Sequence, residues 1–190
     1  MSNKVIFVNG PKRSGKDTAT LFAVKHFGAR HYKMAWPMKS AVAAMFGLSH
    51  EEERHYFETD AKDAPQARFF GKSPRQVLID YSERWAKQLF GDDIFGELAV
   101  RFIQSPTEAP FTIISDSGFR GEAARVVGWL GAARCMMIQL SRPGCTFEGD
   151  SRSYVDLTDL GVTTVELHNS HTRDIFEKQV EHVIGAWLKE

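Results

Sequence analysis

The segment KVIFVNGPKRSGKDTATLF, Lys4 to Phe22, restricts the fold more than any other stretch of the 190-residue chain. Its first half is β-branched and aromatic and stops at Gly10, which suits a buried strand over Lys4 to Asn9. From Lys16 the apolar positions Ala19, Phe22, Ala23 and Phe27 recur at helical spacing, and Gly28 supplies a stop. Strand, glycine-bounded turn and helix therefore succeed one another directly. Such a turn can aim successive backbone N–H groups inward, and the helix N-terminus adds about half a positive charge. The turn is an anion seat, with Lys12, Arg13 and Lys16 crowded into it.

Gly10-x-x-x-x-Gly15-Lys16 has the Walker A spacing, in which the lysine reaches the terminal phosphates of a nucleotide. The candidate cradle is Gly10, Lys12, Arg13, Ser14, Gly15, Lys16, Asp17 and Thr18. Asp17 stands where the usual motif has a hydroxyl residue for Mg²⁺, and the hydroxyl comes one position later at Thr18. Two readings of Asp17 stay open. "GKDT" resembles the "GKGT" of adenylate-kinase-type enzymes, where Mg²⁺ is held largely through water and nucleotide oxygens; alternatively Asp17 holds a magnesium-bound water.

Downstream, strands and helices alternate. HYKMA (His31 to Ala35) reads as a short strand, succeeded by a helix from Pro37 to about Phe46. His50 to Lys72 is dense in both charges and broken by Pro65 and Gly71, so a surface excursion and substrate flap is expected there rather than core, with Glu51 to Glu53 as a solvated face. Ser73-Pro74 opens a helix whose stripe is Val77, Leu78, Tyr81, Trp85 and Leu89, ending at Gly91; Asp92 and Asp93 can cap the next one. FTIISD (Phe111 to Asp116) is a strand, Glu122 to Leu130 a helix, CMMIQL (Cys135 to Leu140) a strand. SRPGCTFEGDSRSY (Ser141 to Tyr154) reads as a loop or lid, TTVEL as the last strand, and Phe176, Val180, Ile184 and Trp187 mark a C-terminal helix. The pattern predicts an α/β fold, a parallel sheet of about five strands with helices on both faces. Residues 1–190 are read as a single domain, with an insertion at about 48–72 and a lid-like loop at about 142–156.

Phosphoryl transfer needs cations around the migrating group and a metal-organising carboxylate. Asp116 ends a buried strand, where ligand crevices of doubly wound sheets lie, so it is expected to face Lys16 across the same cleft. Asp17 and Asp116 are the candidate Mg²⁺ residues, through water. Lys39, Arg75, Arg120, Arg142 and Arg152 fall after strands or in loops, and the planar fork of arginine suits phosphate.

Composition removes other classes. Lys and Arg total 24 against 24 Asp and Glu, which argues against a nucleic-acid duplex as partner. Two cysteines without a signal-like start suggest a reduced, cytoplasmic setting, and no apolar run approaches the roughly 20 residues of a membrane span. His168 and His171 have no cysteine partners at zinc spacing, and no G-x-G-x-x-G appears.

With NGPKRSGKDT, MAWPMKSAVAAMFG, SPRQVLIDYSERWAKQLFGDDIF, ISDSGFRGEA, RPGCTFEGDSRSY and HNSHT in this order, the chain resembles the bacteriophage deoxynucleoside monophosphate kinases, a branch of the P-loop nucleotide kinases. The resemblance implies a P-loop kinase fold with substrate-binding insertion and lid. It implies transfer of the ATP γ-phosphoryl group to a deoxynucleoside monophosphate, with Mg²⁺, in a host cytoplasm, and it admits a homodimer. It puts Lys16 and its loop on ATP, and Lys39, Arg75 and the segment from Asp116 to Glu122, with Arg120, near the acceptor. Arg142 and Arg152 would close over the reacting phosphates, so Lys16, Asp116, Arg142 and Arg152 are the catalytic candidates. The sequence departs from the family twice: Gly118 replaces a frequent arginine, for which Arg120 is the candidate substitute, and Tyr81-Ser82-Glu83 replaces Gly-Thr-Glu. The rivals are a P-loop kinase for a small metabolite or a hydroxymethylated pyrimidine, free or in DNA, and a non-catalytic nucleotide-binding module.

Overall fold

Five strands, all parallel, form one sheet: β1 (Val5–Asn9), β2 (Arg30–Tyr32), β3 (Thr112–Ile114), β4 (Cys135–Ser141) and β5 (Thr163–His168), in the order β2-β3-β1-β4-β5. The computed structural model describes residues 4–150 and 152–189. The helices are α1 (Lys16–Phe27), α2 (Trp36–Met45), α3 (His50–Glu58), α4 (Pro74–Tyr81), α5 (Lys87–Phe90), α6 (Ile94–Gln104), α7 (Arg120–Leu130) and α8 (Arg173–Trp187), with short 3₁₀ turns among them. β1 is central, paired with β3 on one side and β4 on the other, and all five of its residues are buried. Strands covered on both faces lose the alternation of a half-exposed sheet, which is why VIFV and CMMI read as unbroken apolar runs.

The chain divides into two compact units, one running to Met34 and resuming at Gly96, the other spanning Ala35–Phe95. In the sheet unit, Ile6, Val8, Ile113, Met136, Ile138 and Leu140 pack with Ala19 and Ala23 of α1 and with Phe176, Val180, Ile184 and Trp187 of α8. The second unit has a separate small core of Val42, Ala43, Phe57 and Phe69, flanked by Phe46, Leu48, Tyr56, Val77, Leu78 and Tyr81.

Two expectations change on the second unit. The polar stretch from His50 to Lys72 is structured, carrying α3 and two 3₁₀ turns, and it buries Phe57 and Phe69. Ser49 and Glu52 make a reciprocal capping box, and Glu51 to Glu53 fill the first turn, where carboxylates meet the positive end of the helix dipole. The acidic run is thus a helix start. The helix beginning at Pro74 also changes phase. Val77, Leu78 and Tyr81 join the core, whereas Trp85 and Leu89 are 47% and 61% exposed. A π turn at Ser82–Ala86 separates α4 from α5. A π turn inserts one extra residue, which rotates the succeeding turns by about 100° and carries the later part of the stripe away from the core.

Candidate active site: a phosphate turn between strand ends

The turn between β1 and α1 has room for its backbone only because of its two glycines. A Cβ on Gly10 would lie 2.6 Å from the carbonyl oxygen of Leu140 and 2.7 Å from Ser14 Oγ. One on Gly15 would lie 2.6 Å from Asn169 Nδ2, and Gly15 also has a φ of 112°, which L side chains rarely adopt. Arg13 takes a left-handed conformation as well, at φ 66°. Gly15 brings no side chain to cap α1, so the first-turn N–H donors are left for an anion. Ser14 is fully buried, and its hydroxyl finds no partner among the described residues.

Lys16 folds over this turn, donating from Nζ to the carbonyl oxygens of Gly10 and Pro11, each at 2.6 Å. Burial holds its ammonium below the usual lysine range, and the positive charge of Arg152 pushes the same way, while Asp17, Asp150 and Asp116 oppose them. One arginine and three carboxylates therefore lie within electrostatic reach of the loop lysine. Asp116 lies just beyond β3, on the neighbouring strand, and its Oδ1 accepts the backbone N–H of Met34 at 2.7 Å. Arg152 forks onto Asp150, Nε to Oδ1 at 2.8 Å and Nη2 to Oδ2 at 2.5 Å, and Asp116 adds to the stabilisation of its charge.

The other anticipated residues are spread more widely. Arg142 donates from Nη1 to the carbonyl oxygen of Arg13 at 3.3 Å, so it is tied to the phosphate turn. Arg120 pairs with Asp159 at 2.5 Å at an exposed position. Glu122, in the first turn of α7, is 5% exposed, and its charge is felt by Tyr32. Lys12, Arg13 and Asp17 are exposed, and Thr18 is half-buried. In the second unit Lys39 pairs with Glu58 and Arg75 with Asp63, each at 2.5 Å. Among the described residues no three His, Cys, Asp or Glu side chains converge as a metal site, so Asp17 and Asp116 do not form a cage of their own.

Three residues that hold the site together were not singled out from the sequence. Asn9, 1% exposed at the end of β1, donates from Nδ2 to the carbonyl oxygens of Ser117 and Ser153, at 2.6 and 3.1 Å. Its Oδ1 accepts the N–H of Val155 at 3.1 Å, and Gln139 Nε2 reaches the carbonyl oxygen of the same residue at 2.9 Å. Asn169, after β5, donates to the carbonyl oxygen of Ser14 at 3.0 Å. Asp150 is the third. The available signal was positional: an amide at a strand end, beside the loops of neighbouring strands, has backbone groups to satisfy.

Comparison with known proteins bears on the same residues. The family model for deoxynucleotide monophosphate kinase matches residues 4–71. A putative deoxynucleotide monophosphate kinase of Acanthamoeba polyphaga mimivirus is 28% identical over 187 residues, covering 93% of each chain. The deoxynucleotide monophosphate kinase of Enterobacteria phage T4 is 44% identical over 45 residues, 24% of this chain and 19% of that one. Among solved structures, a gluconokinase from Sinorhizobium meliloti 1021 superposes with a TM-score of 0.51 at 10% identity, covering 99% of this chain and 95% of its own. TT1252 from Thermus thermophilus gives 0.50 at 13%, covering 98% of each, and at such identities both speak to the fold alone. The five-stranded parallel sheet and these matches make the chain similar to the deoxynucleotide monophosphate kinases, over residues 4–71 for the family model and over 93% of its length for the mimivirus protein.

Proposed function

We propose that the chain transfers the γ-phosphoryl group of ATP to the 5′-phosphate of a deoxynucleoside monophosphate, giving the diphosphate and ADP. The observation that carries this reading is the gathering of Lys16, Asp116 and Arg152 at the ends of adjacent parallel strands, around a turn whose glycines leave its backbone bare. The residues fit a polyphosphate: a cradle that a Cβ would fill, an uncapped helix start, a buried serine hydroxyl without a partner among the described residues and a lysine directed over the loop. Asp116 and Asp17 would hold Mg²⁺ through water, and the ion would supply positive charge against the charge that develops on the phosphates.

The chain's own part is placement and charge. Lys16 exchanges its two carbonyl contacts for phosphate oxygens, which are stronger acceptors because they are ionised. The acceptor phosphate is already anionic, so no side chain has to remove a proton. The γ-phosphorus to bridging-oxygen bond breaks as a bond to the acceptor phosphate oxygen forms, and ADP carries away the electron pair. Arg152 and Arg142 would balance charge on the transferring group, while Lys39, Arg75, Arg120 and Glu122 would serve the acceptor. Residues 1–190 are read as a single kinase domain, with about 48–72 as an insertion for the acceptor and about 142–156 as a lid-like loop.

ADP release measured against a panel of deoxy- and ribonucleoside monophosphates tests this. Release that depends on a deoxynucleoside monophosphate supports the reading, and Lys16→Met should lower turnover by orders of magnitude with an unchanged circular dichroism spectrum. Wild-type activity in Lys16→Met would overturn it, as would nucleotide binding without turnover or turnover only with another acceptor.

A further inference from the structure

Gly118 is a glycine for want of space. Its φ lies outside the positive region, so the backbone does not demand glycine there. A Cβ at this position would instead fall 2.5 Å from Arg152 Cγ, closer still to Cδ, and 3.0 Å from Cβ. The aliphatic stem of Arg152 therefore lies on the bare Cα of Gly118, two residues beyond Asp116. Further constraints act on the same arginine. Asp150 holds its guanidinium by two hydrogen bonds and accepts its backbone N–H at 3.1 Å. Asn9 pins the chain just after it through Ser153 and Val155.

We infer that Gly118 and Asp150 are positioning residues that set Arg152 beside Lys16 and Asp116 before any substrate arrives. The inference rests on the kinase reading above and deepens it. Arg152 is a fixed cation of the phosphate site, at the anchored end of the loop. An arginine already confined in this way gives up less rotamer freedom on meeting phosphate than one that must be swung into place. Arg120, two residues after Gly118, pairs instead with exposed Asp159.

A double-mutant cycle tests the inference. Gly118→Ala displaces the stem of Arg152, Cγ and Cδ most, and should lower kcat about tenfold with KM for both substrates within about twofold. Arg152→Ala should lower kcat by about a hundredfold, and Gly118→Ala added to it should cost nothing more. Asp150→Asn should behave like Gly118→Ala in both backgrounds, and it decides the matter if Gly118→Ala does not fold. A readout independent of turnover is the Arg152 Nε–H resonance in nucleotide-free protein, assigned by its loss in Arg152→Lys. It should exchange slowly in the wild type and broaden or shift in Gly118→Ala and Asp150→Asn. Equal fold-losses with and without Arg152, or an Nε–H resonance indifferent to both substitutions, would overturn the inference. A wild-type chain that releases no ADP with any deoxynucleoside monophosphate would overturn the kinase reading itself, which is a separate result.

Discussion

The side-chain amide of Asn169 donates to the carbonyl oxygen of Ser14 at 3.0 Å, so the segment after β5 braces the phosphate turn after β1. The bond is part-buried, and a net hydrogen bond of this kind contributes about 1 kcal/mol. Asn169→Ala should therefore raise KM for ATP by roughly fivefold while changing kcat little, because the turn is loosened without losing a charge. Steady-state kinetics with ATP varied checks this, and an unchanged KM would remove Asn169 from the binding apparatus.

Asn9 should matter more to stability than to binding. Its side chain satisfies two carbonyl oxygens and one N–H; the bonds to Ser117 and Val155 are buried and the one to Ser153 is part-buried. Asn9→Ala orphans these groups at a cost of about 2–3 kcal/mol, which for a chain of this size lowers the melting temperature by about 4–10 °C. Thermal unfolding monitored by circular dichroism would reveal it; a shift under about 2 °C would mean that other partners take over these groups.

The depressed basicity of Lys16 has a pH signature. Burial lowers its pKa, so as pH rises its proton is lost before that of an exposed lysine, and phosphate affinity falls with it. The alkaline limb of kcat/KM, which reports the free enzyme, should lie below the ordinary lysine range. Lys16→Arg should move that limb upward whatever it costs in rate, since a guanidinium keeps its proton throughout. An alkaline limb that stays put in Lys16→Arg belongs to another group.

The two cysteines should separate cleanly under a thiol reagent. Cys135 begins β4, is buried, and has its thiol pushed up to about 12 by that burial. Near neutral pH the folded protein should react at Cys145 alone, with the second thiol appearing on denaturation. A raised thiol pKa favours the unfolded state only above the ordinary thiol value of about 8.5, where the free chain can ionise and the buried thiol cannot, so stability should decline as pH climbs past it. Two thiols reacting at equal rates in native buffer would contradict this placement.

The parts of this molecule that were readable in advance are those whose local signals and tertiary roles agree. α1 runs from Lys16 to Phe27 and stops at left-handed Gly28, where the apolar spacing and the glycine both put its end. β1, β3 and β4 were visible because strands covered on both faces have to be apolar throughout. α3 was concealed by its own charge, since Glu51 to Glu53 look like solvated loop until Ser49 and Glu52 are paired as a cap. The phase of Trp85 and Leu89 was illegible because a π turn leaves no periodic mark of its own. At the site, Lys16 and Asp116 emerge from strand and loop position alone. Asn9, Asp150 and Asn169 do not: Asn9 and Asn169 bond to backbone atoms of loops far away in the chain, and Asp150 matters only through the arginine it holds.

The small core of Val42, Ala43, Phe57 and Phe69 shares no member with the core beneath the sheet. Substitutions at Val42, Ala43, Phe57 or Phe69 are thus felt first within their own cluster, and those at Ile6, Val8, Met136 or Ile138 within another. A lineage can reshape the helices that interrupt the sheet while inheriting its phosphate turn unaltered.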